Sequence, residues 1–282
     1  MPTIGTLYSS VIRDSEFAKK NEIALREIIC HIQGFHEMSE FYTKNDQEIR
    51  DLPLFLSYLA RFLNGEPVAY ILNYSRFLGL DLYVDNRVLI PRMETEEVVK
   101  HAILKIKEVF VNKNINIVDI GTGSGAIALA LKQTFPEATL YASDISKESL
   151  EVAKINSQRN NLDVIFLQGK SLEPFIFSGL RIDVIVSNPP YITNIKEIDK
   201  SVIDYEPYKA LVDEKELGVY KDIFKTYSAI CNYPILMVME IGYDMHEKIQ
   251  SLVNETLPNA KFENIKDING KERIISILIE KA

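Results

Sequence analysis

The chain turns from a buried strand into a helix at Asp119-Ile120-Gly121-Thr122-Gly123-Ser124-Gly125. Glycines at such a turn permit a positive φ and let the backbone approach a ligand closely. Their spacing is G-x-G-x-G, which differs from the G-x-G-x-x-G fingerprint of dinucleotide-binding domains. The small apolar run Ala126 to Ala130 follows and lets the helix pack closely on a sheet. Asp119 is expected either to fix the loop by accepting its N–H groups or to contact the ligand.

Strands and helices alternate around this turn, which predicts an α/β fold with a parallel sheet and helices on both faces. The last two predicted strands flank Asn269-Gly270, the strongest short hairpin signal, and are therefore expected to be antiparallel. The predicted strands are Ile115–Ile120, Thr139–Asp144, Val164–Leu167, Ile182–Ser187, Pro234–Ile241, Phe262–Ile268 and Arg273–Glu280, and the main helices between them are Gly125–Phe135, Lys147–Asn160 and Met245–Val253.

Asp144 ends the second strand of this series. It follows Gly125 at close to the roughly 20-residue spacing expected of a carboxylate that accepts ribose hydroxyls. It could equally begin the next helix, because Ser146 and Lys147 follow it. A glycine-rich turn followed by an acidic strand end is a layout typical of nucleoside binding.

The strand Ile182–Ser187 ends on Asn188-Pro189-Pro190-Tyr191. Two prolines make the turn stiff, because each fixes its own φ and restricts the residue before it. The Asn188 amide oxygen and the Pro189 carbonyl could accept both hydrogens of a planar NH2 group, and Tyr191 could stack on its plane. Taken alone, the motif could also be a rigid turn. All three motifs fall beyond the carboxyl ends of strands, where ligands bind in such sheets.

Composition restricts the class of protein. A chain of 282 residues with 46% hydrophobic content can form one large or two ordinary domains without disulfides. Cys30 and Cys231 lie far apart and the four histidines are scattered, so no metal site is predicted. The net charge of −8 argues against a general nucleic-acid binder. Neither a leader nor an apolar run of transmembrane length is seen, so a cytoplasmic protein without a membrane partner is expected.

The first part of the chain has apolar residues at helical spacing, notably in Phe17–Ile32 and Leu54–Phe62, and Asn64-Gly65 gives the second helix a typical end. Next, Glu66–Leu72 and Phe77–Val84 are predicted to be strands of a hairpin that links two domains. The expected domains are therefore a helical, partner-binding domain over 1–65, a β-hairpin linker over 66–92 and the α/β domain over 93–282.

These motifs together resemble the class I S-adenosylmethionine-dependent methyltransferases that act on an NH2 nitrogen, and more closely the HemK/PrmC family. The resemblance runs from about residue 65 to the end of the chain. The stretches that carry it are Gly65-Glu66-Pro67-Val68-Ala69-Tyr70-Ile71-Leu72, Val88-Leu89-Ile90-Pro91-Arg92 with Glu94-Thr95-Glu96, Gly121 to Leu131, Val186 to Ile192, Tyr205-Glu206-Pro207 with Ala210-Leu211, and Glu240-Ile241-Gly242.

The resemblance implies a Rossmann-like sheet with a terminal antiparallel hairpin, joined through a β-hairpin to a small helical domain. It implies methylation of the side-chain amide nitrogen of the glutamine in the Gly-Gly-Gln motif of peptide chain release factors, which modulates translation termination. The release factor would dock in part on the N-terminal helices. The implied S-adenosylmethionine site is Gly121, Thr122, Gly123, Ser124, Gly125, Asp144, Ser171 and Asn188; the implied glutamine site is Asn188, Pro189, Pro190 and Tyr191, with Asn188, Pro189 and Tyr191 catalytic.

The sequence departs from the family pattern at three places. Met93 replaces a common proline, Lys170-Ser171 stands where an aspartate and an aromatic residue are frequent, and Tyr233-Pro234 stands where two glycines are common. Alternatives remain open: methylation of a ribosomal-protein glutamine, methylation of an adenine or cytosine amino group, and a non-catalytic S-adenosylmethionine-binding module. A nicotinamide oxidoreductase fits least. We expect a monomer that does not bind nucleic acid directly.

Overall fold

The computed structural model describes residues 2–111, 114–176, 179–194, 196 and 198–281. The chain forms two compact units. Unit 1 comprises Met1–Tyr74 and Asp199–Tyr205, and unit 2 comprises Ser75–Ile198 and Glu206–Ala282.

The helices and strands are numbered along the chain. The helices are α1 (Ile4–Asp14), α2 (Glu16–Lys20), α3 (Glu22–Gln33), α4 (Met38–Thr43), α5 (Leu52–Leu63), α6 (Val68–Leu72), α7 (Met93–Val109), α8 (Ala126–Thr134), α9 (Lys147–Asn160), α10 (Glu173–Ile176), α11 (Lys200–Tyr205), α12 (Tyr208–Leu211), α13 (Gly218–Thr226) and α14 (His246–Thr256). The strands are β1 (Ser75–Phe77), β2 (Leu80–Leu82), β3 (Asn116–Ile120), β4 (Thr139–Asp144), β5 (Ile165–Gln168), β6 (Ile182–Ser187), β7 (Cys231–Glu240), β8 (Lys261–Lys266) and β9 (Glu272–Ile279).

Unit 1 is helical, as its apolar spacing predicts. Asp51 caps α5 by accepting a hydrogen bond from Leu54 N at 2.9 Å, and the helix ends at Asn64, just before Gly65 with its φ of +86°. The apolar faces of α1 to α6 meet in one buried cluster that includes Leu25 and Phe55. The helical pattern in this part of the sequence therefore reports the core of unit 1.

The first strand of the predicted linker hairpin is wrong. Within Glu66–Leu72, residues 68–72 form helix α6, whose Tyr70 and Ile71 N–H groups donate to the Pro67 carbonyl. Arg61 donates to the Tyr70 and Ile71 carbonyls at the end of this helix and so satisfies groups that a short helix leaves unpaired. A tertiary contact has overridden the strand propensity of the segment. The hairpin is the shorter β1–β2 pair.

Unit 2 contains a seven-stranded sheet in the order β5-β4-β3-β6-β7-β9-β8. The pairs from β5 to β7 are parallel, and β9 is antiparallel to both β7 and β8. Successive residues of β6 pack in different clusters, Val184 and Val186 on one face and Ile185 on the other. Burial on both faces explains the continuous apolar runs of the central strands. The predicted class, a Rossmann-like α/β sheet with a terminal antiparallel hairpin, is confirmed.

The strand register aligns the functional motifs. Ile120 lies opposite Ser143 on one side and Ser187 on the other, and Ser187 lies opposite Met239 on β7. The residues that follow, Gly121, Asp144, Asn188 and Glu240, therefore occupy one row at the carboxyl edge of four adjacent strands. Neighbouring strands are about 4.8 Å apart, which places these residues within the span of one small ligand.

Candidate active site

The glycine-rich loop is fastened to the neighbouring strand by its backbone. Gly121 N and Thr122 N both donate to the Ser143 carbonyl, at 2.8 and 3.0 Å. Gly123 has a φ of +54°, and a Cβ added there would meet nothing within 4 Å. The loop therefore needs glycine for its backbone conformation and leaves open space beside it.

Asp119 lies under this loop and is fully buried. Its Oδ2 accepts hydrogen bonds from Thr122 Oγ1 at 2.6 Å and from Ala128 N at 3.2 Å. Its Oδ1 has no partner among the described residues. Burial raises the pKa of Asp119 to about 7. The contacts agree with the loop-fixing role that the sequence suggested for this residue.

Asp144 holds the loop from the end of β4. Its Oδ2 accepts a hydrogen bond from Gly123 N and its Oδ1 one from Ser146 N, both at 2.9 Å. Burial raises the pKa of Asp144 above its ordinary value. Each carboxylate oxygen can accept more than one hydrogen bond, so two hydroxyl donors could still be accommodated. Asp144 thus stabilises both the start of α9 and the glycine-rich loop, and its carboxylate can also accept hydrogen bonds from ribose hydroxyls.

Asn156 is a residue that the sequence analysis missed. It is fully buried on α9, donates to the carbonyls of Tyr83 and Ser124, and accepts a hydrogen bond from Tyr83 N at 2.6 Å. It therefore ties the segment after β2 to the glycine-rich loop. The available signal was its position in phase with the buried residues of α9, such as Leu150 and Ala153.

Ser171 follows β5 and contacts Ser143, whose carbonyl holds the loop. It has a φ of +50°, and its carbonyl accepts a hydrogen bond from Ser143 Oγ at 3.2 Å. Its buried Oγ has no partner among the described residues. The preceding Lys170 forms an ion pair with Asp222 and points its charge into that pair. Ser171, rather than Lys170, therefore has a buried polar atom that is not already engaged by a described residue.

The Asn188-Pro189-Pro190-Tyr191 turn follows β6 directly. Ser187 Oγ donates to the Ile120 carbonyl at 2.7 Å, which joins the ends of β6 and β3. Asn188 Nδ2 donates to Thr95 Oγ1 at 2.9 Å. No described residue donates a hydrogen bond to Asn188 Oδ1 or to the Pro189 carbonyl. Two acceptors on adjacent residues thus remain available.

Glu240 connects this turn to the rest of unit 2. It is only 2% exposed, and its two carboxylate oxygens accept hydrogen bonds from Thr95 Oγ1 at 2.7 Å and Tyr191 OH at 3.2 Å. Burial raises the pKa of Glu240 to about 6. Tyr220 OH donates to the Glu240 carbonyl at 2.6 Å, and Arg273 Nη1 donates to Tyr191 OH at 3.4 Å. One buried carboxylate therefore orients both Thr95 and Tyr191.

The segment that follows the turn returns to it. Ile192 N donates to the Leu211 carbonyl, and Asp213 N donates to the Ile192 carbonyl. Within the same segment, before Leu211, the buried Glu206 accepts a hydrogen bond from Ile90 N at 3.2 Å and pairs with Arg92. These contacts join sequence motifs that are distant along the chain.

The structure brings together Gly121, Asp144, Asn188 and Tyr191 as the sequence predicts, and it adds Thr95, Glu240 and Arg273. Glu240 had a usable signal, since it lies at the carboxyl end of a predicted buried strand and therefore at the same edge. For Thr95 the only signal was the family resemblance of Glu94-Thr95-Glu96, because its acidic neighbours are typical of an ordinary helix start. No described residues form a group of three or more that could hold a metal ion. Within the same residues, no helix is long and apolar enough to cross a bilayer.

Comparison with known proteins gives consistent results. The family model described as Methyltransferase small domain matches residues 101–206. The release factor glutamine methyltransferase of Bacillus subtilis is 42% identical over 221 residues, which is 77% of each chain. That of Bacillus anthracis is 31% identical over 97% of this chain and 99% of its own. A methyltransferase from Pyrococcus furiosus, 19% identical, superimposes with a TM-score of 0.51 over 80% of this chain and 99% of its own, and shares the fold. The chain therefore belongs to the release factor glutamine methyltransferase family.

Proposed function

We propose that this protein transfers a methyl group from S-adenosylmethionine to the side-chain amide nitrogen of a glutamine in a peptide chain release factor, within its Gly-Gly-Gln motif. The observation that carries the proposal is the Asn188 amide. Its Nδ2 is engaged by Thr95, while its Oδ1 and the adjacent Pro189 carbonyl are left as acceptors. Two fixed acceptors match the two hydrogens of a primary amide.

The residues of the other half of the row fit S-adenosylmethionine. The open space beside Gly121 and Gly123 would admit the ligand, and Asp144 would accept hydrogen bonds from its ribose hydroxyls. Ser171 Oγ, which has no partner among the described residues, would be a further polar contact. Thr122, Ser124 and Gly125 shape the loop that holds it. When bound, this compound supplies an electrophilic methyl group on a positively charged sulfur.

The protein's own contribution is to position the nucleophile. An amide nitrogen is a poor nucleophile because its lone pair is delocalised into the carbonyl. Asn188 and Pro189 would accept one hydrogen bond from each N–H of the substrate NH2 group. These hydrogen bonds would hold the nitrogen facing the methyl group and increase the electron density on the nitrogen. Tyr191 would form a wall beside the amide plane, with Pro190 stiffening the turn. Orientation of this kind can supply up to roughly 7–11 kcal/mol. Methyl transfer would form a carbon–nitrogen bond and break the carbon–sulfur bond, and the nitrogen would lose one of its two protons so that the product amide is neutral.

Unit 1 is proposed to help dock the release factor. It exposes several apolar side chains, including Ile23 at 66%, Tyr42 at 56% and Leu56 at 52%. Substitutions such as Ile23→Asp or Leu56→Asp should raise KM for the release factor and leave kcat unchanged. Unchanged KM in both would argue against this role. We propose that this docking role lies in residues 1–65, which fall within unit 1.

The protein is further proposed to act as a cytoplasmic monomer that contacts neither nucleic acid nor a membrane directly. Light scattering after size-exclusion chromatography, with and without the release factor, tests the monomer. A dimeric mass in the absence of the release factor would contradict it.

The deciding experiment measures methyl transfer from labelled S-adenosylmethionine to purified release factor and to a variant with glutamate in place of the Gly-Gly-Gln glutamine. We expect label on the first substrate alone. Label on neither, with S-adenosylmethionine binding intact, would contradict the proposal. Ribosomal proteins and then DNA would become the substrates to test.

A further inference from the structure

The buried Glu240 carboxylate lies beside the Asn188-Pro189-Pro190-Tyr191 turn but is not part of it. Burying a charged carboxylate is costly unless its oxygens receive hydrogen bonds. Glu240 receives one on each oxygen, from Thr95 and from Tyr191. Of these two partners, Thr95 contacts the Asn188 amide, and Tyr191 supplies the aromatic ring of the proposed glutamine site. The carboxylate is thus placed to control both sides of the glutamine site.

The direction of the hydrogen bonds follows from the charge. An ionised carboxylate can only accept, so the single Thr95 hydroxyl hydrogen must point at Glu240. Thr95 Oγ1 can then only accept from Asn188, at 2.9 Å. Asn188 must therefore present its NH2 group to Thr95 and its oxygen to the opposite side. Without such a partner the two ends of an asparagine amide are nearly equivalent in shape.

We propose that Glu240 and Thr95 are positioning residues that fix the orientation of the Asn188 amide and so make the site selective for a substrate nitrogen that carries hydrogens to donate. This inference deepens the proposed function and rests on it. An inverted Asn188 would place its own NH2 against the substrate NH2, so two donors would face each other. Selectivity for the primary amide thus arises from a carboxylate two hydrogen bonds away.

A purely structural role would only tie the start of α7 to β7. Thr95→Val and Thr95→Ser distinguish the two roles. Valine keeps the branched shape of threonine but has no hydroxyl, whereas serine is smaller but keeps the hydroxyl. We expect Thr95→Val to lower kcat by about 10- to 100-fold with an unchanged Kd for S-adenosylmethionine, and Thr95→Ser to retain most activity. Thr134→Val is the matched control, because Thr134 Oγ1 bonds only within α8, to the Ala130 carbonyl.

Glu240→Gln provides a second variant in case Thr95→Val does not fold. A glutamine can donate as well as accept, so it no longer dictates the direction of the Thr95 hydroxyl. We expect kcat to fall about tenfold. If folded Thr95→Val and Glu240→Gln both turn over at the wild-type rate, the inference is wrong.

A measurement without methyl transfer separates this inference from the proposed function. In protein labelled with ¹⁵N-asparagine, the Asn188 side-chain signals are identified by their absence in Asn188→Ala. Their hydrogen exchange should be roughly tenfold faster in Thr95→Val than in wild type, because one hydrogen bond is lost. Inactive wild-type protein with this difference intact would refute the proposed function alone. Equal exchange rates would refute the positioning role.

Discussion

The two halves of the site are built differently. The proposed cofactor half, the loop 121–125, is made mainly of backbone groups close together in sequence; Asp119 holds Thr122 from three residues away, and Asp144 holds Gly123 from 21 residues away. The acceptor half is assembled from side chains far apart, such as Thr95, Asn188 and Glu240. Binding a common ligand thus depends on a local backbone shape, whereas orienting a weak nucleophile depends on a long-range side-chain network.

The largest expected effect separates the halves completely. Asn188→Ala removes one of the two proposed acceptors for the substrate NH2 group but touches no hydrogen bond of the glycine-rich loop. We expect kcat to fall by about 10³-fold, the upper range for losing one preorganised hydrogen-bonding group. The Kd for S-adenosylmethionine, measured by calorimetry, should change little. Equal losses in kcat and affinity would mean that Asn188 belongs to the cofactor half.

A substitution in the loop should have the converse effect. Gly123→Ala places a side chain at a φ of +54°, which costs about 1–2 kcal/mol. The loop should relax out of its ligand-binding shape, so the Kd for S-adenosylmethionine should rise about tenfold while kcat at saturation stays near wild type.

Gly270→Ala is the matched control for that strain. Gly270 has a φ of +75° and equal open space, but it lies in the terminal hairpin. Both variants should lose similar stability on urea unfolding, and only Gly123→Ala should lose affinity. Weakened binding in both would attribute the effect to general destabilisation.

The same difference explains what sequence could predict. The placement of Gly121, Asp144 and Asn188 at one edge could be predicted because each ends or follows a strand pattern, and parallel strands bring their carboxyl ends to one edge. The role of Thr95, which lies in a stretch that resembles the family, could not be predicted, because it depends on the packing of α7 beside β7. Residues 68–72 were wrong for a similar reason: Arg61 caps α6 from elsewhere in unit 1. Patterns that are local in the sequence thus predicted the edge of the sheet, and non-local hydrogen bonds determine how the side chains there are oriented.

Acidic pH should weaken the acceptor half. Burial raises the pKa of Glu240 from 4.5 to about 6, so its carboxylate is largely protonated at pH 5 and no longer fixes the Thr95 hydroxyl. Methyl transfer should therefore fall about tenfold from pH 7 to pH 5. Stability should change in the opposite direction: a raised folded-state pKa stabilises below pH 4.5, and this contribution is lost as pH rises through 6.

The groups around Glu240 define the control for this pH profile. Besides burial, Thr95 and Glu94 on α7, Arg273 on β9 and Tyr191 in the turn all influence the pKa of Glu240. Asp119, whose pKa burial raises to about 7, also titrates in this range. Rates measured from pH 5 to 8 should lose the step near pH 6 in Glu240→Gln. A step that persists in this variant would assign it to Asp119 or to the substrate.

The smallest expected effect divides the two roles of Tyr191. Tyr191→Phe keeps the ring but removes the hydroxyl that donates to Glu240, at 3.2 Å. Since Thr95 still holds the other carboxylate oxygen, kcat should fall only about threefold, consistent with one modest hydrogen bond. Tyr191→Leu, which removes the aromatic face as well, should cost much more. If Tyr191→Phe were as inactive as Tyr191→Leu, the hydroxyl rather than the ring would be the working part, and Glu240 would control the site mainly through Tyr191 instead of through Asn188.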